Sequence, residues 1–487
     1  MVSNSHVLNW ICGEERGAGG GERFEKINPH TGEVLWSVVR SREKDVQQAV
    51  DAARAAFPAW ARTPAVKRGE MLHALVDSLR NARQEMGKIV ANETGKSPAS
   101  ALAETDGAIL LGEFFSGEGQ RLYGRTSTSA TPNRYASTIR QPLGVAGLIV
   151  PANTPIANVA WKAFPALICG NAVVLKAAED SPAVAALFAK LAHEARLPAG
   201  LLNVIHGFGP EAGAPLVAHP DVAVISFTGS TSAGREIAAV AGKRLARVSL
   251  ELGGKNPFVV CDDADLENAV KWALLSAFSN AGQRCASGSR IIVFERIAER
   301  FRDLLVERTA RLKVGPADTD DLGPVINERA LQRMLAAVEG AVKRGARLLA
   351  GGKRLTDEAH RRGFYLQPTV LESVSPDDSI STEEVFGPVT CLYRVGDFES
   401  ALALANRSPY GLTACIHTAS VHRATEFTQR VEAGVAVVNG GTFGSEPHMP
   451  FGGVKASGNG TREPGTEALD VYSSLKNVIV QTDPSKV

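Results

Sequence analysis

Short apolar runs rich in β-branched residues, alternating with helical stretches, constrain this chain more than any other feature. The runs are Val145–Val150, Ala172–Leu175, Val222–Phe227, Phe258–Cys261, Ile291–Phe294 and Val435–Val438. Between and before them, apolar residues recur at helical spacing, as at Val46, Ala49, Val50, Ala53 and Ala56, and at Leu72, Leu75, Val76 and Leu79. Strands apolar along their whole length are buried on both faces, which helices packed on either side of a parallel sheet provide. The pattern therefore predicts an α/β fold with two doubly wound, Rossmann-like parallel sheets, one before and one after about residue 253.

One stretch breaks the alternation. Residues 117–140 are polar and include the alternating piece Tyr135-Ala-Ser-Thr-Ile-Arg140, which reads as a hairpin projecting from the first unit. Val478-Ile-Val480 near the end reads as an edge strand. An exposed edge is a liability unless paired, so another subunit is the expected partner.

Composition narrows the function classes. With 53 Lys and Arg against 52 Asp and Glu, the net charge is +1. So balanced a chain has no global attraction to nucleic acid or an anionic membrane. Cys12, Cys169, Cys261, Cys285, Cys391 and Cys415 show no CxxC pair and no zinc spacing, so no metal site is expected. Free thiols in a reducing compartment follow, with cytoplasm as the expected location. No apolar leader or membrane-length apolar run is present in the sequence.

Two strand ends look suited to a nucleotide. In Ile225-Ser-Phe-Thr-Gly-Ser-Thr-Ser-Ala-Gly234, a strand passes through Gly229 into an alanine-rich helix. The N–H groups at such a helix start attract phosphate, and Ser230 adds a hydroxyl; Gly234 follows on the first turn. The same turn could serve only to reverse the chain. Lys176 and Glu179 follow another buried strand, where ligands of open α/β sheets bind, and could grip ribose hydroxyls. A solvated surface pair is the alternative. Glu179 would repel a 2′-phosphate, favouring NAD, with NADP still open. Gly207-Phe-Gly209-Pro-Glu-Ala-Gly213 has the wrong spacing for a dinucleotide fingerprint and reads as a loop leading into a helix.

Three further residues suit carbonyl chemistry. Cys285, in Ser279-Asn-Ala-Gly-Gln-Arg-Cys285, sits among small residues in a loop, with Arg284 beside it to lower the thiol pKa. Glu251 closes an apolar strand, and a carboxylate there must be paired or functional; burial would raise its pKa toward that of a general base. Asn153, between Pro151 and Pro155, offers an amide to an oxyanion, or simply a turn.

Taken together these pieces resemble the NAD(P)⁺-dependent aldehyde dehydrogenase superfamily, from roughly residue 20 to 480. The motifs are Pro151-Ala-Asn-Thr-Pro155, Lys176-Ala-Ala-Glu179, Phe227-Thr-Gly-Ser-Thr231, Leu250-Glu-Leu-Gly-Gly254, Gly282-Gln-Arg-Cys285, Glu384-Val-Phe-Gly-Pro388 and Pro450-Phe-Gly-Gly453-Val-Lys-Ala-Ser-Gly458. The resemblance implies Cys285 as nucleophile, Glu251 as base for deacylation, and Asn153 with the Cys285 N–H as oxyanion hole. It implies NAD or NADP held by Lys176 and Glu179 at the adenosine ribose, and by Gly229, Ser230 and Gly234 at the pyrophosphate. Glu384 would bind the nicotinamide ribose, Phe386 would pack on the nicotinamide, and Glu463 would be a secondary proton relay. It also implies a small β oligomerisation arm and a homodimer or homotetramer. The corresponding division is 1–121 and 142–252 for the cofactor domain, 253–460 for the catalytic domain, and 122–141 with 461–487 for arm and tail.

Departures from the family pattern bear on substrate. Ala152 and Thr154 replace aromatics often found beside the oxyanion asparagine, which should reshape the aldehyde tunnel. Thr461 is an extra residue before Arg462. Trp161 and Ser279 stand where succinic-semialdehyde enzymes carry arginines, so the resemblance is not to that branch. Arg284 resembles a feature of branches that take anionic semialdehydes, and suggests a small carboxylate-bearing semialdehyde akin to α-ketoglutarate semialdehyde. The alternative has Arg284 pointing away and Trp161 lining a pocket for a neutral aldehyde. CoA-acylating relatives generally lack the glutamate found here as Glu251. A catalytically silent homologue would be expected to have lost Cys285, Glu251 or Asn153.

Overall fold

The computed structural model describes residues 6–486. Two seven-stranded sheets organise it. In the first, the strands Arg247–Glu251, Val222–Thr228, Val145–Ile149, Ala172–Lys176 and Leu202–Ile205 lie side by side and parallel. Asn9–Ile11 and Glu14–Arg16 extend the sheet antiparallel. In the second, Thr369–Glu372, Val389–Val395, Arg290–Phe294, Pro257–Val260, Thr413–His417 and Val435–Val438 are parallel. Arg347–Ala350 adds an antiparallel edge.

The expected strands all form, and the reason lies in their burial. Val145–Ile149, Ala172–Lys176, Pro257–Val260 and Arg290–Phe294 are buried at every residue. Helices cover both faces. Glu43–Arg62 and Ala65–Asn81 turn Val46, Ala49, Val50 and Ala53, and Leu72, Leu75, Val76 and Leu79, into the first core.

The polar stretch forms the expected hairpin, Thr126–Ser127 against Arg134–Pro142. The terminal strand Ser473–Gln481 pairs along its length with Arg134–Pro142 of its own chain, Val478 opposite Ser137, and forms one edge of the small sheet. The hairpin offered a full-length partner within reach of the same chain. Within the tail, Ala468–Tyr472 and Glu463 are buried in the first unit, and only the final strand belongs to the small sheet.

Candidate active site

The nucleophile loop is built from unusual backbone. After the helix Leu266–Phe278, Asn280, Ala281 and Gly282 all take left-handed φ, at 56°, 52° and 65°. A non-glycine residue there costs on the order of 1 kcal/mol or more, so the surroundings must hold the loop. They do so through backbone oxygens. Asn256 Nδ2 donates to the carbonyls of Cys285 (2.7 Å) and Ser287 (2.9 Å), while its Oδ1 accepts from Thr413 N (3.1 Å). Thr442 Oγ1 donates to Ala286 O at 2.6 Å. At Gly282 a Cβ would lie 2.1 Å from Gly387 O. Gly282→Ala should therefore cost roughly 2–4 kcal/mol and displace the cysteine, read as a lower midpoint in urea and lost activity.

Cys285 itself is half-buried and packs beside Ala286, Leu412, Phe451 and Trp161. Burial pushes its thiol up to about 12, and the carboxylates of Glu384 and Glu251 push the same way. The expected lowering by Arg284 exists but is outweighed. In a low-dielectric site a thiolate loses more hydration than one partly buried guanidinium returns. At neutral pH the group rests as a thiol and needs a base.

Glu251 is one of the two carboxylates whose charge reaches Cys285. It ends the strand Arg247–Glu251, fully buried, with neither carboxylate oxygen hydrogen-bonded. Burial raises its pKa well above the ordinary carboxylate range; Glu463 adds to the rise, while Lys162 and Arg462 oppose it. Behind it lies a sealed network at 0% exposure, in which Lys162 Nζ donates to Glu463 Oε2 at 2.7 Å. Ser226 and Ser249 donate their hydroxyls to Glu463 Oε1 at 2.9 and 2.8 Å.

Asn153 reaches the same loop. Its Nδ2 donates to Gln283 O at 3.0 Å, which uses one of the two amide hydrogens and fixes the side chain two residues before the cysteine. Phe386, itself at φ 56°, lines a small cavity with Asn153, Ala152 and Gln283. Glu384 accepts from Gly254 N at 3.0 Å, and burial lifts its carboxyl to about 7.

A larger cavity of about 350 Å³ opens beside the loop, lined by Lys96, Glu104, Thr154, Ser279, Asn280 and Arg284 among others. Lys96 and Glu104 form a buried ion pair, and Glu104 also accepts from Ile156 N at 3.1 Å. Arg284 stacks over Phe443 at 4.8 Å, its Nε without a hydrogen-bond partner. Asp320 and Asp321 stand among the lining residues too, each accepting from a backbone amide, of Ala317 and Lys313 respectively. Trp161 meets Phe451 edge-on at 5.5 Å on the apolar side of Cys285.

The nucleotide side fits a dinucleotide. Lys176 Nζ lies 3.4 Å from Glu179 Oε2 at a strand end. The helix Thr231–Lys243 starts on Ser230, whose Oγ accepts from Ala233 N at 3.3 Å. Neither Gly229 nor Gly234 has positive φ; at both, side chains pack close against the glycine. A Cβ would lie 2.4 Å from the Phe227 ring at Gly229 and 2.5 Å from Leu252 at Gly234. Gly207–Gly213 is a loop and one wide helical turn, as its spacing indicated.

Residues 16–478 match the aldehyde dehydrogenase family. The chain belongs to that family. It is 36% identical over 484 residues to an alpha-ketoglutaric semialdehyde dehydrogenase of Bacillus subtilis, covering 99% of each chain. It is 40% identical over 472 residues to an alpha-ketoglutarate semialdehyde dehydrogenase of Haloferax volcanii, covering 96% of this chain and 98% of that one. A betaine aldehyde dehydrogenase of Staphylococcus aureus, solved in complex with NAD⁺, superposes with a TM-score of 0.96 at 31% identity, covering 98% and 95%. The protein is thus an NAD(P)-dependent aldehyde dehydrogenase, with the two-sheet fold of its relatives.

Several residues of this aldehyde dehydrogenase site were not singled out from sequence. Lys162 carried a signal, a lone charge in the apolar run Trp161-Lys-Ala-Phe164, which demands a buried partner. Asn256 carried none, because its partners are backbone groups far away in the chain; Glu104 carried none, because its pairing with Lys96 and with the amide of Ile156 is set by packing. Among the described residues, no helix is long and apolar enough to cross a membrane.

Proposed function

We propose that the enzyme oxidises a small carboxylate-bearing aldehyde, of the α-ketoglutarate semialdehyde kind, to the acid through a covalent adduct on Cys285. The observation that carries the reading is the half-buried Arg284 guanidinium lining the cavity beside the nucleophile loop, with its Nε unpartnered. The names of the Bacillus and Haloferax relatives support the same class.

In this reading Cys285 gives its proton to Glu251, and its sulfur bonds to the aldehyde carbon. The free N–H of Asn153 and the Cys285 backbone N–H donate to the oxyanion that forms. Lys176, Glu179, Gly229, Ser230, Gly234, Glu384 and Phe386 would hold NAD⁺, with NADP⁺ disfavoured by Glu179. The chemistry that cofactor supplies when bound is hydride acceptance, which leaves the acyl group on Cys285 as a thioester. Glu251 must first give up the proton it took from Cys285, through Glu463; it then takes a proton from water, whose oxygen attacks the thioester, and the C–S bond breaks to give the acid and a thiolate that Glu251 reprotonates. Glu463, tied to Lys162 behind Glu251, would pass the proton on. Trp161 would pack on the aliphatic part of the substrate.

The test is a panel of aldehydes with and without a carboxylate. Arg284→Leu should lower kcat/KM about 100-fold for carboxylated aldehydes, the worth of one buried charged hydrogen bond, and leave neutral aliphatic aldehydes nearly unaffected. Equal losses for both kinds would rule out Arg284 as the carboxylate anchor.

The small sheet exposes apolar side chains on both faces, Leu475 (60%) and Ile479 (55%) on one and Tyr135 (65%), Ile139 (44%) and Val480 (50%) on the other, which supports its use as the contact of a homodimer or homotetramer. Free thiols at all six cysteines support a reducing, cytoplasmic setting.

A further inference from the structure

Beneath the Lys176–Glu179 strand end lies a buried charge cluster that the reaction does not use. Lys26, on the strand Arg23–Ile27, is 2% exposed. Its Nζ stands 3.8 Å from Asp180 Oδ1 and makes no hydrogen bond. The other Asp180 oxygen accepts from Asn327 Nδ2 at 2.8 Å, just ahead of the helix Glu328–Lys343 of the second unit. Glu93, fully buried, also faces the Lys26 charge, and its carboxylate accepts from Ala183 N (2.9 Å) and Val184 N (3.2 Å). Those amides open the helix Pro182–Glu194.

The chain that leaves Lys176 and Glu179 is thus held just downstream, at Asp180 and at the start of the next helix. Lys26 attracts the carboxylates at both of those points, Asp180 and Glu93. A lysine side chain is seldom buried this deeply without such a charge to answer. Remove the cation, and Asp180 loses its ion pair while Glu93 loses the charge that favours its ionised form, which leaves residues 180–184, next to Glu179, less firmly held.

We propose that Lys26 is a positioning residue for cofactor binding, a built-in cation that holds the 176–184 turn so that Lys176 and Glu179 can grip the adenosine ribose. The proposal rests on the reading of those two residues as ribose ligands. It concerns affinity for the cofactor, not the chemistry at Cys285.

The experiment measures NADH binding by fluorescence titration and amide hydrogen exchange over residues 177–184 of the cofactor-free protein. Wild type is compared with Lys26→Met, Asp180→Asn, the double variant and Glu179→Gln. In Lys26→Met the Kd should rise about tenfold, as expected if the competent turn falls to a tenth of the population, and exchange should accelerate in 177–184. Asp180→Asn should act in the same direction, the double variant should be no worse than Lys26→Met, and kcat at saturating NAD⁺ should stay within about twofold. Unchanged Kd in Lys26→Met, with Glu179→Gln weakened, overturns the role of Lys26 and leaves the ribose reading in place. Unchanged Kd in Glu179→Gln overturns the ribose reading itself. Exchange accelerated evenly across the chain would make Lys26 a general stability residue and refute the proposal. Should Lys26→Met not fold, Asp180→Asn decides alone: a wild-type Kd overturns it.

Discussion

Cys285→Ala should abolish aldehyde-dependent formation of NADH, with kcat falling on the order of 10⁵-fold while the protein still folds and binds NADH. The size of the effect follows from the division of labour. Without sulfur there is no adduct, and nothing else in the cavity can form a bond to the aldehyde carbon at comparable rate. Cys169, Cys261, Cys391 and Cys415 are buried in the cores, and Cys12 lies on the N-terminal strand pair, away from the cleft. Absorbance at 340 nm with an aldehyde panel reads the outcome. Activity above about a thousandth of wild type would remove Cys285 from the mechanism. Acyl-CoA, rather than free acid, as product of the wild type would redirect the second half-reaction away from water.

Glu251→Gln should be the next most damaging change, lowering kcat by about 10²–10⁴-fold, the range for loss of a general base. Its pH signature is more specific than its size. The working form is the carboxylate, and burial, then Glu463, lift the pKa well above the usual carboxylate value. Wild-type kcat should therefore fall as pH drops through that raised pKa, and rise toward a plateau above it. The glutamine variant cannot titrate, so its acidic limb should vanish. Glu463→Gln removes a neighbouring negative charge and frees the Lys162 ammonium, and both changes favour the ionised form of Glu251. The acidic limb should then move to lower pH, with a modest loss in rate. A limb unmoved in both variants would mean that another group controls it.

The strands could be read from the chain, and Cys285, Glu251 and Asn153 could be singled out, because their signals are local. A run such as Ala172-Val-Val-Leu175 is apolar on both faces wherever it lies, so the double burial is written in the residues themselves. Cys285 among small residues, and Glu251 closing an apolar strand, stand out for the same reason. Asn256 did not stand out, because an asparagine that organises a loop through three backbone groups looks like any other asparagine. The glycines at 229 and 234 were legible as requirements but not as causes. Their φ values are ordinary, and the constraint is a phenyl ring and a leucine brought against them by packing.

The sequence alone determined the α/β class, the order of the two sheets, the family, and which cysteine, glutamate and asparagine to set apart. Tertiary structure alone decided that the thiol rests protonated despite Arg284, that the last strand closes on its own hairpin, and that Glu463 answers to Lys162. Those outcomes depend on desolvation and on contacts between residues hundreds of positions apart. Such terms depend on where side chains meet in space, and no local pattern of residues encodes them.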